Sequence, residues 1–149
     1  MIRLSNLADY AVVAMVALAR SGGRLNAADL GQKSGIPAPT AQKLAGILTR
    51  AGLLASVRGA GGGVHLARRP QAIRLTDIIE AVDGPIGLTQ CLHEGAEDCI
   101  VGANCSVKPH WTLINARVRA ALSDVTLAEL MGRAPAMTGG AFAHEKEMA

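Results

Sequence analysis

Apolar residues recur at helical spacing along the first third of the chain. Leu7, Ala11, Ala14, Met15 and Leu18 share one face, which predicts an amphipathic helix over about 4–20, ended by Ser21-Gly22-Gly23. Asn26 can cap a second helix, with Asp29 near its positive end, and Ser34-Gly35 stops it. Ile36-Pro37-Ala38-Pro39 reads as a tight turn. Pro39 suits the first position of a third helix, where no amide bond is lost, and that helix runs to about Ala51-Gly52. Leu44, Ile47, Leu48 and Ala51 gather on one of its faces, and Pro39, Gln42, Lys43, Gly46 and Arg50 on the opposite one.

The pattern changes after residue 52. Residues 54–58 form a plausible short strand, 59–63 a glycine-rich turn and 64–67 a return strand. Thr76 is placed to cap a short helix over 77–82, closed by Asp83-Gly84-Pro85. A long helix starts near Pro109. Thr126-Leu127-Ala128-Glu129 has the spacing of a capping box, so the long helix is expected to break at Ser123-Asp124 and restart. Trp111, Ile114, Val118, Ala121, Val125 and Ala128 step 3-4-3-4-3, a seam suited to a second helix; packing against the chain's own core is the alternative. The expected fold is mainly α: a winged helix-turn-helix with a small β-hairpin wing and a long C-terminal dimerisation helix. Its parts are a DNA-binding domain over 1–85, a cysteine loop over 86–107, a dimerisation helix region over 108–132 and a disordered tail over 133–149.

Charge strengthens this reading. Residues 1–75 carry 10 Lys/Arg against 2 Asp/Glu, whereas 76–149 carry 5 against 10. A basic half joined to an acidic one suggests a polyanion-binding module with something attached. Tyr10, Trp111 and Phe142 are the whole aromatic inventory, which argues against base-stacking platforms for RNA or single strands. The polar face of the third helix can enter a major groove. Pro39 and Thr40 sit at its start, Gln42 and Lys43 near base edges and Arg50 near phosphate. The hairpin would act as a wing, with Arg58 at its base and Gly61 in its turn. A phosphate cradle at 59–63 is disfavoured, because the segment lacks a Gly-Lys-Ser/Thr ending and leads into a strand.

Cys91, Cys99 and Cys105 fall within fifteen residues, and no other cysteine occurs. The chain shows no cleavable leader pattern and no apolar run of membrane-spanning length, so a cytoplasmic protein is expected. Thiols stay reduced there, which favours metal or redox chemistry over structural disulfides. The Cys-x7-Cys-x5-Cys spacing is wider than zinc fingers prefer, whereas iron–sulfur clusters accept looser spacing. A fourth ligand is missing, and His93, His110, Asp9 or an exogenous group are candidates. A cluster-free regulator that binds zinc or switches by thiol–disulfide exchange stays open. A cluster carrier or redox enzyme is less well supported, since no nucleophile–base pair, Cys-x-x-Cys or cofactor loop accompanies the cysteines.

Several of these residues together resemble the IscR/NsrR family of bacterial iron–sulfur transcription regulators. The matches are Leu-x5-Tyr-Ala at 4–11, Leu53-Leu54 with Ser56-Val57-Arg58-Gly59, Gly61-Gly62-Gly63, Leu66-Ala67-Arg68, Ile78-Ile79-x2-Val82-x-Gly84-Pro85 and the three cysteines. The resemblance covers about residues 1–132 and is closest to regulators of iron–sulfur assembly operons, such as the SUF-system subgroup. It implies a homodimeric repressor, bound to a double-stranded operator, with no small-molecule substrate and no membrane. It also implies a 2Fe–2S or 4Fe–4S cluster on Cys91, Cys99 and Cys105, whose state reports iron–sulfur supply, oxidative stress or nitric oxide. Two departures matter. The first gap is seven residues where relatives have five, and Lys108 stands where IscR-like members have a histidine. Asp9 matches the aspartate that nitric-oxide-sensing relatives supply from the other subunit, so the resemblance makes it the first choice of fourth ligand.

Overall fold

The computed structural model describes residues 3–92 and 99–132. Helix α1 (Asn6–Ser21) is capped by the Ser5 hydroxyl, which accepts from the Ala8 amide at 3.0 Å, and buries Ala11, Ala14, Met15 and Leu18. Helix α2 (Ala27–Ser34) starts as expected, with the Asn26 side chain accepting from the Asp29 amide at 2.8 Å. Helix α3 (Ala38–Arg50) follows a turn so tight that a Cβ on the buried Gly31 would lie 2.8 Å from the Ile36 carbonyl oxygen. Pro39 is therefore the second helical residue, not the first, and its missing amide still costs no helical bond. Ala41, Leu44 and Leu48 of α3 reach the core, and Ile47 is half-buried. Ala51 does not join them, because it caps the helix end and is exposed.

Strands β1 (Leu54–Val57) and β2 (Gly63–Leu66) pair antiparallel, with Leu54 opposite Leu66 and Val57 opposite Gly63. Arg58 thus lies just past β1. The hairpin is docked on the segment before α2: the Leu25 amide donates to the Val64 carbonyl at 3.0 Å, and the Val64 amide donates to Leu25 at 2.8 Å. Leu25 and Val64 join one core with α1, α3 and the next helix.

Helix α4 (Leu75–Asp83) starts one residue before Thr76. Thr76 is not its cap but a buried residue, 1% exposed, inside the first turn. The start is set by the Asp77 carboxylate, which accepts from the Arg74 amide at 3.0 Å, and by tertiary backbone bonds. The Leu75 amide donates to Val125, and the Leu127 amide donates to Ile73. Helix α5 (Lys108–Ser123) and helix α6 (Leu127–Met131) flank that connection. The expected break is present. The Thr126 amide donates to Glu129 Oε2 at 2.7 Å, and Thr126 Oγ1 accepts from the Glu129 amide at 3.3 Å. Val125 consequently leaves the expected seam, since α5 ends at Ser123 and the Val125 carbonyl is used by Leu75. Arg74 reinforces the joint through its guanidinium, which donates to the Ser123 carbonyl at 2.7 Å. The expected tail over 133–149 lies outside the described residues.

Candidate functional site

Pro39, Gln42, Lys43 and Arg50 of α3 are exposed, and Thr40 is half-buried. Gly46 leaves room for the Arg50 guanidinium, whose Nη1 would lie 3.4 Å from a Cβ at that position. Arg58 and Gly61 are exposed on the hairpin. Arg24, not anticipated from the sequence, donates from Nη1 to the Gly61 carbonyl at 3.1 Å and braces the hairpin turn from the α1–α2 connection. α3 and the hairpin thus each present exposed cationic side chains and pack on one apolar core. Such side chains can meet phosphates and groove edges.

All three cysteines line a single cavity of about 630 Å³, shared with Leu88, Thr89, Gln90, Ile100, Val101 and Trp111. Each cysteine is half-buried, and Thr89 Oγ1 lies 3.2 Å from Cys91 Sγ, within hydrogen-bond reach. Among the described residues no three His, Cys, Asp or Glu side chains already sit close enough together to hold a metal ion. The cavity nevertheless suits an inorganic cluster. It is wider than one ion needs, and three thiols border it together with mostly apolar side chains. His93 lies outside the described residues, and His110 is exposed on α5 and does not line the cavity. Asp9 is exposed in the first turn of α1 and is absent from the cavity lining, so within one chain it is not brought to the cysteines.

Trp111 forms part of the cavity wall. Ile114, with 41% of its surface exposed, Val118 and Ala121 follow it on α5, which buries no residue in the single chain. The chain segment leading into the cavity is held by polar contacts that the sequence did not disclose. Asn115 Nδ2 donates to the Ile86 carbonyl at 2.9 Å, and the Leu88 amide donates to Asn115 Oδ1 at 3.0 Å. The Ile86 amide donates to Glu80 Oε1 at 3.3 Å, and Arg119 donates to both Glu80 oxygens at 2.7 and 2.8 Å. The Arg119 hydrogen bond holds the Glu80 carboxyl below the usual carboxylate range against the opposing effect of partial burial, and Glu80 in turn raises the pKa of Arg119. The available signal was the spacing of Trp111, Asn115 and Arg119, four residues apart on one helix face.

Comparison with known proteins identifies the family. The model of the Rrf2 family, described as iron-dependent transcriptional regulators, matches residues 4–133. The chain belongs to the Rrf2 family. The HTH-type transcriptional regulator IscR of Aliivibrio salmonicida is 37% identical over 131 residues, covering 87% of this chain and 77% of the relative. Its counterpart in Yersinia enterocolitica is also 37% identical, over 87% of this chain and 79% of the relative. Among solved structures, T. potens IscR is 29% identical with a TM-score of 0.66, covering 87% of this chain and 86% of that one. CymR, the global cysteine regulator of B. subtilis, is 29% identical with a TM-score of 0.68, covering 88% and 97%. The resemblance seen in the wing-to-helix residues is thereby borne out, as are the mainly helical winged fold and the assignment to DNA-binding transcription regulators, a non-enzyme class. No helix among the described residues is long and apolar enough to cross a membrane.

Proposed function

We propose that this Rrf2 protein is a cytoplasmic homodimeric repressor whose affinity for a double-stranded operator depends on an iron–sulfur cluster held by Cys91, Cys99 and Cys105. The observation that carries this reading is the convergence of all three thiols on one apolar-walled cavity beside α5. The other end of α5 is bonded to the DNA-binding domain through Arg74. A bound cluster would cross-link the 86–107 segment and draw its thiolates together. Asp9 of a second copy remains the preferred fourth ligand, since Asp9 is exposed and available to a partner. Pro39, Thr40, Gln42, Lys43 and Arg50 would read one half-site, with Arg58 and Gly61 at the adjoining backbone or minor groove. Trp111, Ile114, Val118 and Ala121 would form the seam between copies.

Anaerobic purification with a visible spectrum and light scattering tests the reading, followed by footprinting of loaded and stripped protein. A brown dimer is expected, with a colour lost in Cys99→Ala and an operator footprint that changes on stripping. A colourless wild type that holds zinc, or a footprint indifferent to loading, would overturn it.

A further inference from the structure

We infer that Asn115 is a positioning residue that transmits the state of the cysteine loop to the DNA-binding domain, with Glu80 and Arg119 holding the segment it grips. This inference rests on the cluster-dependent operator binding proposed above.

The geometry is specific. Among the described residues, 86–88 have no backbone hydrogen-bond partner. Their position is set by Asn115, which accepts from the Leu88 amide and donates to the Ile86 carbonyl. One side-chain amide thus takes the place of a neighbouring strand for two peptide groups. The Ile86 amide is taken by Glu80 of α4, so that residue is gripped by both peptide groups from two different helices. Arg119 fixes Glu80 through a bidentate pair, which restricts rotation as well as distance.

This grip lies where a signal must pass. Leu88 is held by its amide and also lines the thiol cavity, and Cys91 is three residues further on. Trp111 lines the same cavity one helical turn before Asn115, and Arg119 follows one turn after it. A displacement of the thiol segment therefore pulls on α5 and α4 together. α4 carries Ile78, which shares its core with Leu44 and Leu48 of the reading helix. A side chain that merely fastened α5 to α4 would not need to hold the root of the cysteine loop.

The test measures the affinity of loaded and stripped protein for one duplex, selected by loaded wild type from a random-sequence library. Wild type, Asn115→Ala and a control on the same helix, Arg117→Ala, are compared. For Asn115→Ala the loaded-to-stripped affinity ratio should fall by about three- to thirtyfold, while the cluster spectrum and loading stay near wild type. In the stripped protein, amide exchange at Leu88 should accelerate in Asn115→Ala and not in Arg117→Ala. Asn115→Gln keeps the amide group and should recover part of the ratio. If Asn115→Ala fails to fold, Arg119→Met, which frees Glu80 but leaves Asn115, carries the test through the same fall in ratio. A wild-type ratio in Asn115→Ala, or in Arg119→Met where that is the variant measured, overturns the inference even if the melting temperature drops. A wild type with equal loaded and stripped affinities overturns the underlying functional reading instead.

Discussion

Replacing Gly63 by alanine should damage the wing far more than the same change at Gly61, two residues away. Gly63 has φ +147°, and a Cβ there would run into the Leu25 carbonyl and lie 2.8 Å from the Asn26 amide nitrogen. The obstacle is backbone, so no side-chain rotation relieves it. The hairpin must move off the α1–α2 connection, and the two Leu25–Val64 hydrogen bonds, at 3.0 and 2.8 Å, go with it. Each such bond contributes about 1 kcal/mol and the positive φ adds about 1–2 kcal/mol, so the loss comes to about 3–4 kcal/mol. Gly61 has φ +70° and no atom within 4 Å of an added methyl, so only the backbone strain, about 1–2 kcal/mol, applies. Urea unfolding measures the difference: with a denaturant slope of about 2 kcal/mol per molar, the two midpoints should separate by about 1 M. Amide exchange at Leu25 and Val64 should accelerate in Gly63→Ala alone. Coincident midpoints, or intact protection at Leu25, would refute the claim that Gly63 exists to admit the Leu25 backbone.

Two further outcomes follow from the reading surface and the Glu80 cluster. Arg58→Ala should weaken binding to all duplex sequences and lower the salt slope by about 1, whereas Gln42→Ala should relax base preference at one position at a cost of about 1–3 kcal/mol; salt titrations of both variants on matched and mismatched duplexes check this. Glu80 has a folded pKa below its unfolded value, so its stabilising contribution is complete above the ordinary carboxylate range and is lost as pH falls through the depressed folded value. Glu80→Gln should therefore be less stable than wild type at neutral pH and should converge with it in acid; urea midpoints against pH that run parallel would count against this.

The sequence was readable where local rules and tertiary contacts agree. The first two helices follow a 3.6-residue period and stop at Gly22 and Gly35 as expected, and Asn26 caps the second. The hairpin was legible because its glycines stand where the turn and the Leu25 contact demand them. Thr76 misled because a good capping residue is also a small one that a core accepts, and the helix start was set by distant pairing of residues 73–75 with 125–127. Val125 kept the heptad spacing past a point where the helix had ended, since periodicity does not register a break made by Thr126 and Glu129. The three cysteines stood out as candidate ligands by crowding, but the cavity they share did not. The four-residue spacing of Trp111, Asn115 and Arg119 marked a helix face, but not the partners of Asn115, which are peptide groups and leave no trace in side-chain patterns.

The state of α5 bears most directly on the proposed dimer. None of its sixteen residues is fully buried in the single chain, and Leu113 and Ile114 expose 53% and 41% of their surface. A helix of that length has marginal stability on its own in water; Asn115 and Arg119 secure one of its faces and Arg74 its C-terminal end. An apolar second face of this kind is stabilised when covered, at about 25 cal/mol for each Å² removed from water. A second copy of the chain brings an identical face, so two-fold pairing covers both at once. Under the proposed function, the same pairing would bring Asp9 of one copy to a cysteine set it does not approach within one chain. The fourth ligand and the seam therefore stand or fall together: a variant that keeps the protein monomeric, such as Ile114→Glu, should also lose any ligation by Asp9.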